Sequence, residues 1–284
     1  MSNLGTTRWM VLMGVALLCS GRAWAGPHDF VVYSASLGGN QEQARPYLDT
    51  FLRDIEKRMG WDKGSAAGEF LEDAKSAEDY IEKNKPGYGL ISPTLYLDLV
   101  CRKVPVEPIL SIVGITSTGP TERYHVVVKG DAIKDLKALK GKRLASNHLQ
   151  NVKFVSRVVF DGKVDASSYF QLQPTVSPLK PFKQLDRGEA DAILVNDTQL
   201  MSAKSLPIGP SLHVVYSSEA LPPFPMVAFN NVVKPEEREK MRKTVLGMCS
   251  TPGGASVCKS LQITRFEPMD PNAFTKAREA YCKP

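Results

Sequence analysis

The feature that most constrains this chain is a repeated junction: a short apolar, β-rich run, then small polar residues, then a run with helical periodicity. Phe30-Val31-Val32-Tyr33-Ser34 breaks into Ser36-Leu37-Gly38-Gly39-Asn40, after which Tyr47, Phe51, Ile55 and Met59 recur at helical spacing. Tyr88-Gly89-Leu90-Ile91 runs into Ser92-Pro93-Thr94, where Ser92 suits a helix N-cap and Pro93 its first turn. Leu144-Ala145 leads into Ser146, Asn147, Gln150 and Asn151, ahead of an amphipathic run over 154–160. Ala192-Ile193-Leu194-Val195 ends at Asn196-Asp197-Thr198 and a further helix. Strands that alternate with helices predict a mostly parallel, doubly wound α/β fold, in which ligands bind at the carboxyl ends of strands. Helix starts at those ends offer free backbone N–H groups to an anion.

The remaining pattern fills in the alternation. Ile133, Leu136 and Leu139 predict a helix over 133–139, stopped at Gly141, a natural left-handed C-cap. Further helices are predicted over 74–83, 95–100, 179–185, 235–248 and 270–281, and further strands over 106–115, 124–129, 170–173, 213–217 and 226–230. Residues 61–70 read as loop. There is no internal repeat and no low-complexity tract.

Arg8, an apolar run over 9–19 and Ala23-Trp24-Ala25 form the charge, core and cleavage pattern of a secretory signal peptide, so 1–25 is set apart from the fold. Losing Arg8 and Arg22 lowers the formal charge from +6 to +4, too mild a basic balance to suggest nucleic acid. No second apolar stretch approaches membrane-spanning length. Four cysteines remain, and an even count in an exported chain permits two disulfides with three possible pairings. The turn-rich loop between Cys249 and Cys258 favours their mutual pairing and leaves Cys101 to Cys282; free buried thiols are the alternative. No metal-ligand spacing occurs, and no P-loop, nucleophile elbow, dinucleotide fingerprint or zinc-protease motif, so neither an enzyme nor a cofactor is expected.

The order of segments resembles the type 2 periplasmic solute-binding proteins, and within them the phosphate, phosphite and phosphonate-binding receptors of ABC transporters. The residues that carry the resemblance are Tyr33-Ser34-Ala35-Ser36, Tyr88-Gly89-Leu90-Ile91-Ser92-Pro93 and Asp135-Leu136-Lys137-Ala138-Leu139-Lys140-Gly141-Lys142-Arg143-Leu144-Ala145. Gly188-Glu189-Ala190-Asp191-Ala192 and Pro222-Pro223-Phe224-Pro225 add to it. The resemblance implies two lobes, each a mostly parallel sheet flanked by helices, joined by crossover strands near 116–124 and 212–216. Lobe one would then hold 26–117 and 217–284, and lobe two 118–216.

It further implies a monomeric periplasmic receptor that closes on a small polar ligand, anionic or zwitterionic, and presents it to a membrane permease. A periplasmic sensor of the same fold, signalling to a partner such as a histidine kinase, is the alternative. Tyr33, Ser34 and Ser36 would bind ligand from the first loop, although Tyr33 could equally pack beneath it. Ser92 and Thr94 would do so from a helix start, alongside plain capping. Tyr124 and His125 would approach from the crossover, unless His125 is merely structural, and Ser146, Asn147 and His148 from lobe two, with an exposed loop position as the alternative for His148; long amides there in place of hydroxyls suit a larger or zwitterionic solute. Asn196 and Asp197 face the expected crevice; Asp197 would neutralise a ligand amine or, the preferred reading, cap the helix that begins near Thr198.

Overall fold

The computed structural model describes residues 26–33, 41–115, 121–222, 224–270 and 272–283. The leader over 1–25, Ser34, Ser36 and the crossover residues 116–120 lie outside the described residues. The chain runs β1 (Phe30–Tyr33), α1 (Gln41–Met59), β2 (Gly68–Leu71), α2 (Ala74–Asn84), β3 (Tyr88–Ile91), α3 (Pro93–Cys101) and β4 (Val106–Gly114). It continues through β5 (Tyr124–Lys129), β6 (Arg143–Ser146), α4 (Val152–Phe154, prolonged as a π-helix over Val155–Val159), α5 (Ala166–Tyr169), β7 (Gln171–Pro174) and α6 (Lys180–Asp186). Then follow β8 (Ala192–Asn196), α7 (Asp197–Ala203), β9 (Leu212–Ser217), β10 (Pro225–Phe229), α8 (Pro235–Leu246), α9 (Pro252–Ser260), β11 (Ile263–Pro268) and α10 (Thr275–Cys282).

These strands form a six-stranded sheet in the order β11-β4-β10-β3-β1-β2 and a five-stranded sheet in the order β7-β6-β8-β5-β9. The two-sheet α/β architecture is as expected, but the pairing is mixed rather than mostly parallel. β1 pairs in parallel with β2 and β3, whereas β10 lies antiparallel to β3 and β4, and β11 antiparallel to β4. In the other sheet β6 is parallel to β7 and β8, while β5 is antiparallel to β8 and β9. The cause is topological. Successive βαβ units wind in one direction, and each sheet then receives one inserted strand, β10 or β5, that arrives from the other sheet and runs against its neighbours. Between the sheets the two connecting segments meet in an isolated antiparallel bridge, Glu122 with Leu221.

Local sequence accounts for most elements, and packing accounts for the differences. α3 starts where expected, because Ser92 Oγ accepts the Leu95 N–H at 3.2 Å and Pro93 occupies the first turn. Gly141 does adopt φ +75°, but the helix predicted before it shrinks to one 3-10 turn, Lys137–Leu139. Of its three apolar residues only Leu139 is buried, too little packing to offset the cost of nucleating a helix. The predicted loop over 61–70 conceals the edge strand β2, whose Gly68 admits α1 so closely that a Cβ there would lie 3.2 Å from the Leu48 and Leu52 side chains. The loop between Cys249 and Cys258 is mostly helix. Thr251 caps α9, Pro252 opens it, and Gly254 is needed for approach, since a Cβ would sit 2.1 Å from the Met248 carbonyl oxygen.

The strands split their side chains between two cores. Phe30, Tyr88 and Leu90 pack with Phe51 and Ile55 of α1 and Met241 of α8. Val31, Tyr33 and Ile91 pack on the other face with Leu95 and Tyr281, in a core that runs on into the five-stranded sheet through Tyr124, Val126 and Phe154. Disulfides join Cys101 of α3 to Cys282 of α10, and Cys249 to Cys258. The first of them holds α10 against α3 at the seam between the sheets. There the Tyr281 hydroxyl donates to Asp98, and Asn151 Nδ2 donates to Asp98 Oδ2 at 3.0 Å and to Tyr281 Oη at 2.8 Å.

Candidate functional site

The carboxyl ends of β1, β3 and β6 converge on a cavity of about 320 Å³ between the two sheets. From one side it is lined by Tyr33 at the end of β1, by Ser92, Thr94 and Asp98 at the β3–α3 junction, and by Asp73, Lys75 and Glu78 of α2 and its cap. From the other it is lined by Asn147, His148, Gln150 and Asn151, which follow β6. Five of the residues singled out from sequence therefore meet here: Tyr33, Ser92, Thr94, Asn147 and His148. A larger cavity of about 480 Å³ lies on the other face of β1, walled by Phe51, Phe70, Leu90, Leu179 and Phe182. Its chemistry is that of an apolar groove, whereas the smaller one concentrates hydrogen-bonding groups.

The two sides of the small cavity offer different chemistry. Tyr33 Oη and Thr94 Oγ1 have no partner among the described residues, and Ser92 Oγ accepts from Leu95 while its own proton is uncommitted. The Tyr33 ring belongs to the core, so packing and exposure of the hydroxyl to the cavity are combined in one side chain. Burial, helped by Asp73, Asp98 and Glu78, pushes the Tyr33 phenol up to about 12, so it remains a donor. Ser92 and Thr94 at the N-terminus of α3 and Tyr33 at the end of β1 thus bring three hydroxyl groups to one side of the cavity, where hydroxyls and a helix start can donate to an anion without a cation. Among the described residues of the lining, the one cation, Lys75, is bonded to Asp79.

The acids of the lining are largely occupied. Asp73 accepts from Ser76 N–H and Oγ at 2.8 and 2.7 Å, which hold its carboxyl below the usual range. Glu78 pairs with Arg102 at 2.6 Å. Asp98, held between Tyr281 and Asn151, is pushed up by desolvation against those same hydrogen bonds. Sequence reading did not single out Asp98. Its signal was available: it follows Thr94 by one helical turn and so shares that face of α3.

The opposite wall is a hydrogen-bonded scaffold. Asn147 is fully buried, and His148 is 8% exposed with its N–H donated to Ser146 Oγ at 3.0 Å. Gln199 of α7 lies behind both. Its Oε1 accepts the Asn196 N–H at 3.0 Å and sits 2.9 Å from His148 Nε2, while its Nε2 donates to Asn147 Oδ1 at 2.9 Å. Gln199 also lay outside the sequence reading, although Asn196 and Gln199 have the spacing of a capping box, and the box is formed.

The other candidates have internal tasks. Tyr124 lies behind the wall, with its ring edge-on to His148 at 5.0 Å and to Phe154 at 5.4 Å. Ser146 Oγ donates to the Leu194 carbonyl at 2.6 Å. Both ring nitrogens of His125 are engaged, Nδ1 with Ser217 Oγ at 2.8 Å and Nε2 with Asp197 Oδ1 at 2.9 Å. The preferred cap at Asp197 falls one residue earlier, because β8 ends at Asn196 and Asn196 accepts the Gln199 N–H at 2.9 Å. Asp197 instead takes the Arg123 N–H at 2.6 Å and the His125 ring, which ties α7 to the start of β5. Glu122, in the bridge between the connecting segments, accepts from Asn196 Nδ2 at 2.7 Å, and burial together with Asp197 pushes it up to about 8. Among the described residues no cluster of His, Cys, Asp and Glu is arranged to hold a metal, and no helix is long and apolar enough to cross a membrane.

Comparison with known proteins gives the family and the fold. Residues 40–274 match the family model described as ABC transporter, phosphonate, periplasmic substrate-binding protein. Among solved structures, a binding-protein component of an ABC phosphonate transporter from Pseudomonas aeruginosa superposes with a TM-score of 0.68 at 16% identity, covering 89% of this chain and 84% of that one. A Xanthomonas citri protein bound to ATP gives 0.70 at 16% identity, over 89% and 96% of the two chains. PhnD1 from Prochlorococcus marinus, in complex with methylphosphonate, gives 0.67 at 12% identity, over 90% and 97%. At such identities the structures establish the fold alone. No curated protein sequence matches the chain.

Proposed function

The chain belongs to the periplasmic substrate-binding proteins of phosphonate ABC transporters, and from that premise we propose that it captures a small oxyanion-bearing solute in the cavity between its sheets and delivers it to a membrane permease. The observation that carries this reading is the meeting of uncommitted hydroxyls, from Tyr33, Ser92 and Thr94, with the buried Asn147 and His148 across one cavity. A cavity near 320 Å³ lies at the small end of ligand pockets, which suits a compact phosphonate.

In this reading the lobes are 26–117 with 217–284, and 118–216. The six-stranded sheet draws its strands from the first set and the five-stranded sheet from the second, save that Ser217, the last residue of β9, still pairs with His125 in the five-stranded sheet. Closure would turn about the segments that meet at Glu122 and Leu221, since a hinge needs few residues to absorb the rotation. The ligands bound by similar structures, methylphosphonate and ATP, define the chemistry to screen.

The test is a thermal-shift screen of the mature protein over phosphate, alkylphosphonates, aminophosphonates, sulfonates and nucleotides. A solute at about 100 times its Kd adds roughly 2.7 kcal/mol, which for a chain of this size raises Tm by about 5–10 °C. Small-angle scattering with that solute should show compaction. A screen in which no oxyanion shifts Tm overturns the reading.

Tyr33→Phe tests the cavity directly. Removing one hydroxyl that donates to an anion costs about 1.5–3 kcal/mol of binding, roughly a 10- to 100-fold weaker Kd. The unliganded Tm should stay within about 2 °C of wild type, because the ring still fills the core and no described group loses a partner. Unchanged affinity measured by calorimetry would remove Tyr33 from the site.

A further inference from the structure

The cavity pairs hydroxyl donors on one wall with a group of opposite character on the other, and the character of that group is set from behind. The Asn196 backbone N–H can only donate, so the Gln199 side-chain atom 3.0 Å from it must be the amide oxygen. That oxygen is also 2.9 Å from His148 Nε2, so Nε2 must carry a proton. The capping box holds Gln199 in place from both ends, and Gln199 is 5% exposed, so the amide has no room to turn over. Burial lowers the His148 pKa to about 4 and keeps the ring neutral. Neutral with a proton on Nε2, the imidazole has a bare Nδ1. No described residue bonds Nδ1, although the side chain is more than nine-tenths buried and lines the cavity.

We propose that Gln199 is a specificity-determining residue: by holding His148 as the Nε2–H tautomer it makes Nδ1 a hydrogen-bond acceptor toward the bound solute, so the site selects oxyanions that also carry a donor, either an acidic P–OH or an ammonium. A fully deprotonated oxyanion without such a donor would set its own lone pairs against those of Nδ1. This cost falls on a desolvated site, where an unmet acceptor is expensive. The charged groups around the same cavity agree in sign. Asp73 and Glu78 line it together with Lys75, and Asp98 is pushed toward its neutral form, so the lining offers a dianion no excess of positive charge, which favours a monoanion or a zwitterion. The inference deepens the receptor reading given above and rests on it.

The test uses the whole mature protein and three probes that differ by one donor: methanesulfonate, methylphosphonate and aminomethanesulfonate, titrated by calorimetry at mildly acid pH, where methylphosphonate is a monoanion with one P–OH. Wild type should bind methylphosphonate, aminomethanesulfonate or both at least about tenfold more tightly than methanesulfonate. Preference for methylphosphonate alone assigns the donor to P–OH, and preference for aminomethanesulfonate alone assigns it to ammonium. In Gln199→Glu the carboxylate still accepts from Asn196 and His148 and its charge favours the imidazolium, so Nδ1 becomes a donor and the preference over methanesulfonate should vanish or invert. Nitrogen NMR of His148 in the unliganded wild type, which needs no variant to fold, should show a protonated Nε2 and a bare Nδ1.

An Nδ1–H tautomer or a wild-type imidazolium at neutral pH overturns the inference. So does equal binding of all three probes, which leaves the receptor reading intact. Failure of every probe and of the wider oxyanion screen overturns both.

Discussion

Replacing Cys101 and Cys282 together by serine is expected to destabilise the protein by about 4 kcal/mol, seen as a fall in Tm of about 10 °C. The bridge closes a sequence separation of 181 residues, so the unfolded chain loses far more freedom to it than to the bridge of separation 9 between Cys249 and Cys258. In the chain-entropy account the short loop is worth roughly half as much. The expected result also has a local part. Cys282 is the last residue of α10, and its neighbour Tyr281 reaches Asp98 and Asn151, while Lys153 lies 4.3 Å above the Tyr281 ring and Arg157 bonds the carbonyls of Tyr281 and Lys283. Freeing α10 should therefore loosen the seam between the sheets as well as lower global stability. Denaturant unfolding of the oxidised protein and the double variant provides the measurement. Coincident midpoints would show that the bridge constrains nothing.

Asp98→Ala is the second large effect, about 2–3 kcal/mol at mildly acid pH, because it leaves the Tyr281 hydroxyl and one Asn151 N–H with fewer partners in a half-buried seam. Its pH dependence has a definite sign. Desolvation raises the folded pKa of Asp98 above the unfolded value. The stabilisation is therefore complete below the unfolded pKa, about 3.9, and declines as pH rises through the raised folded value. The difference between wild type and Asp98→Ala should accordingly shrink toward neutral pH, the reverse of a salt-bridged carboxylate. Ligand affinity should change too, since Asp98 lines the cavity. A stability difference that grows with pH would show that the ionised form is the one the seam prefers.

Much of the fold was legible because it is locally encoded. Ser92-Pro93 marks a helix start by itself, since the serine oxygen satisfies an N–H three residues on and proline needs no N–H of its own. Fully buried strands such as β3, β8 and β10 announce themselves as unbroken apolar runs. Where reading failed, the deciding contact was distant. Gly68-Glu69-Phe70-Leu71 has little strand character and becomes β2 because β1 offers it a parallel edge. Gly253-Gly254 looks like a turn and lies in α9, where glycine at 254 is required by the Met248 carbonyl packed against it. The single-residue error at Asn196 and Asp197 has the same origin, for the cap position is set by where pairing of β8 with β5 ends.

The site divides along the same line. Tyr33, Ser92, Thr94, Asn147 and His148 could be found as polar residues at strand ends, a place that the α/β architecture exposes. Sequence alone thus determined the alternation of strands and helices, the family pattern and the wall of hydroxyls at the start of α3. Only the tertiary structure decided that His125 and Asp197 satisfy each other, that Asp98 stands between the cavity and the C-terminal helix, and that Gln199 dictates which nitrogen of His148 carries the proton. The physical reason is that a hydroxyl at a helix start can be available through local geometry, whereas a protonation state depends on every partner within hydrogen-bonding reach, and those partners come from segments far apart in the chain.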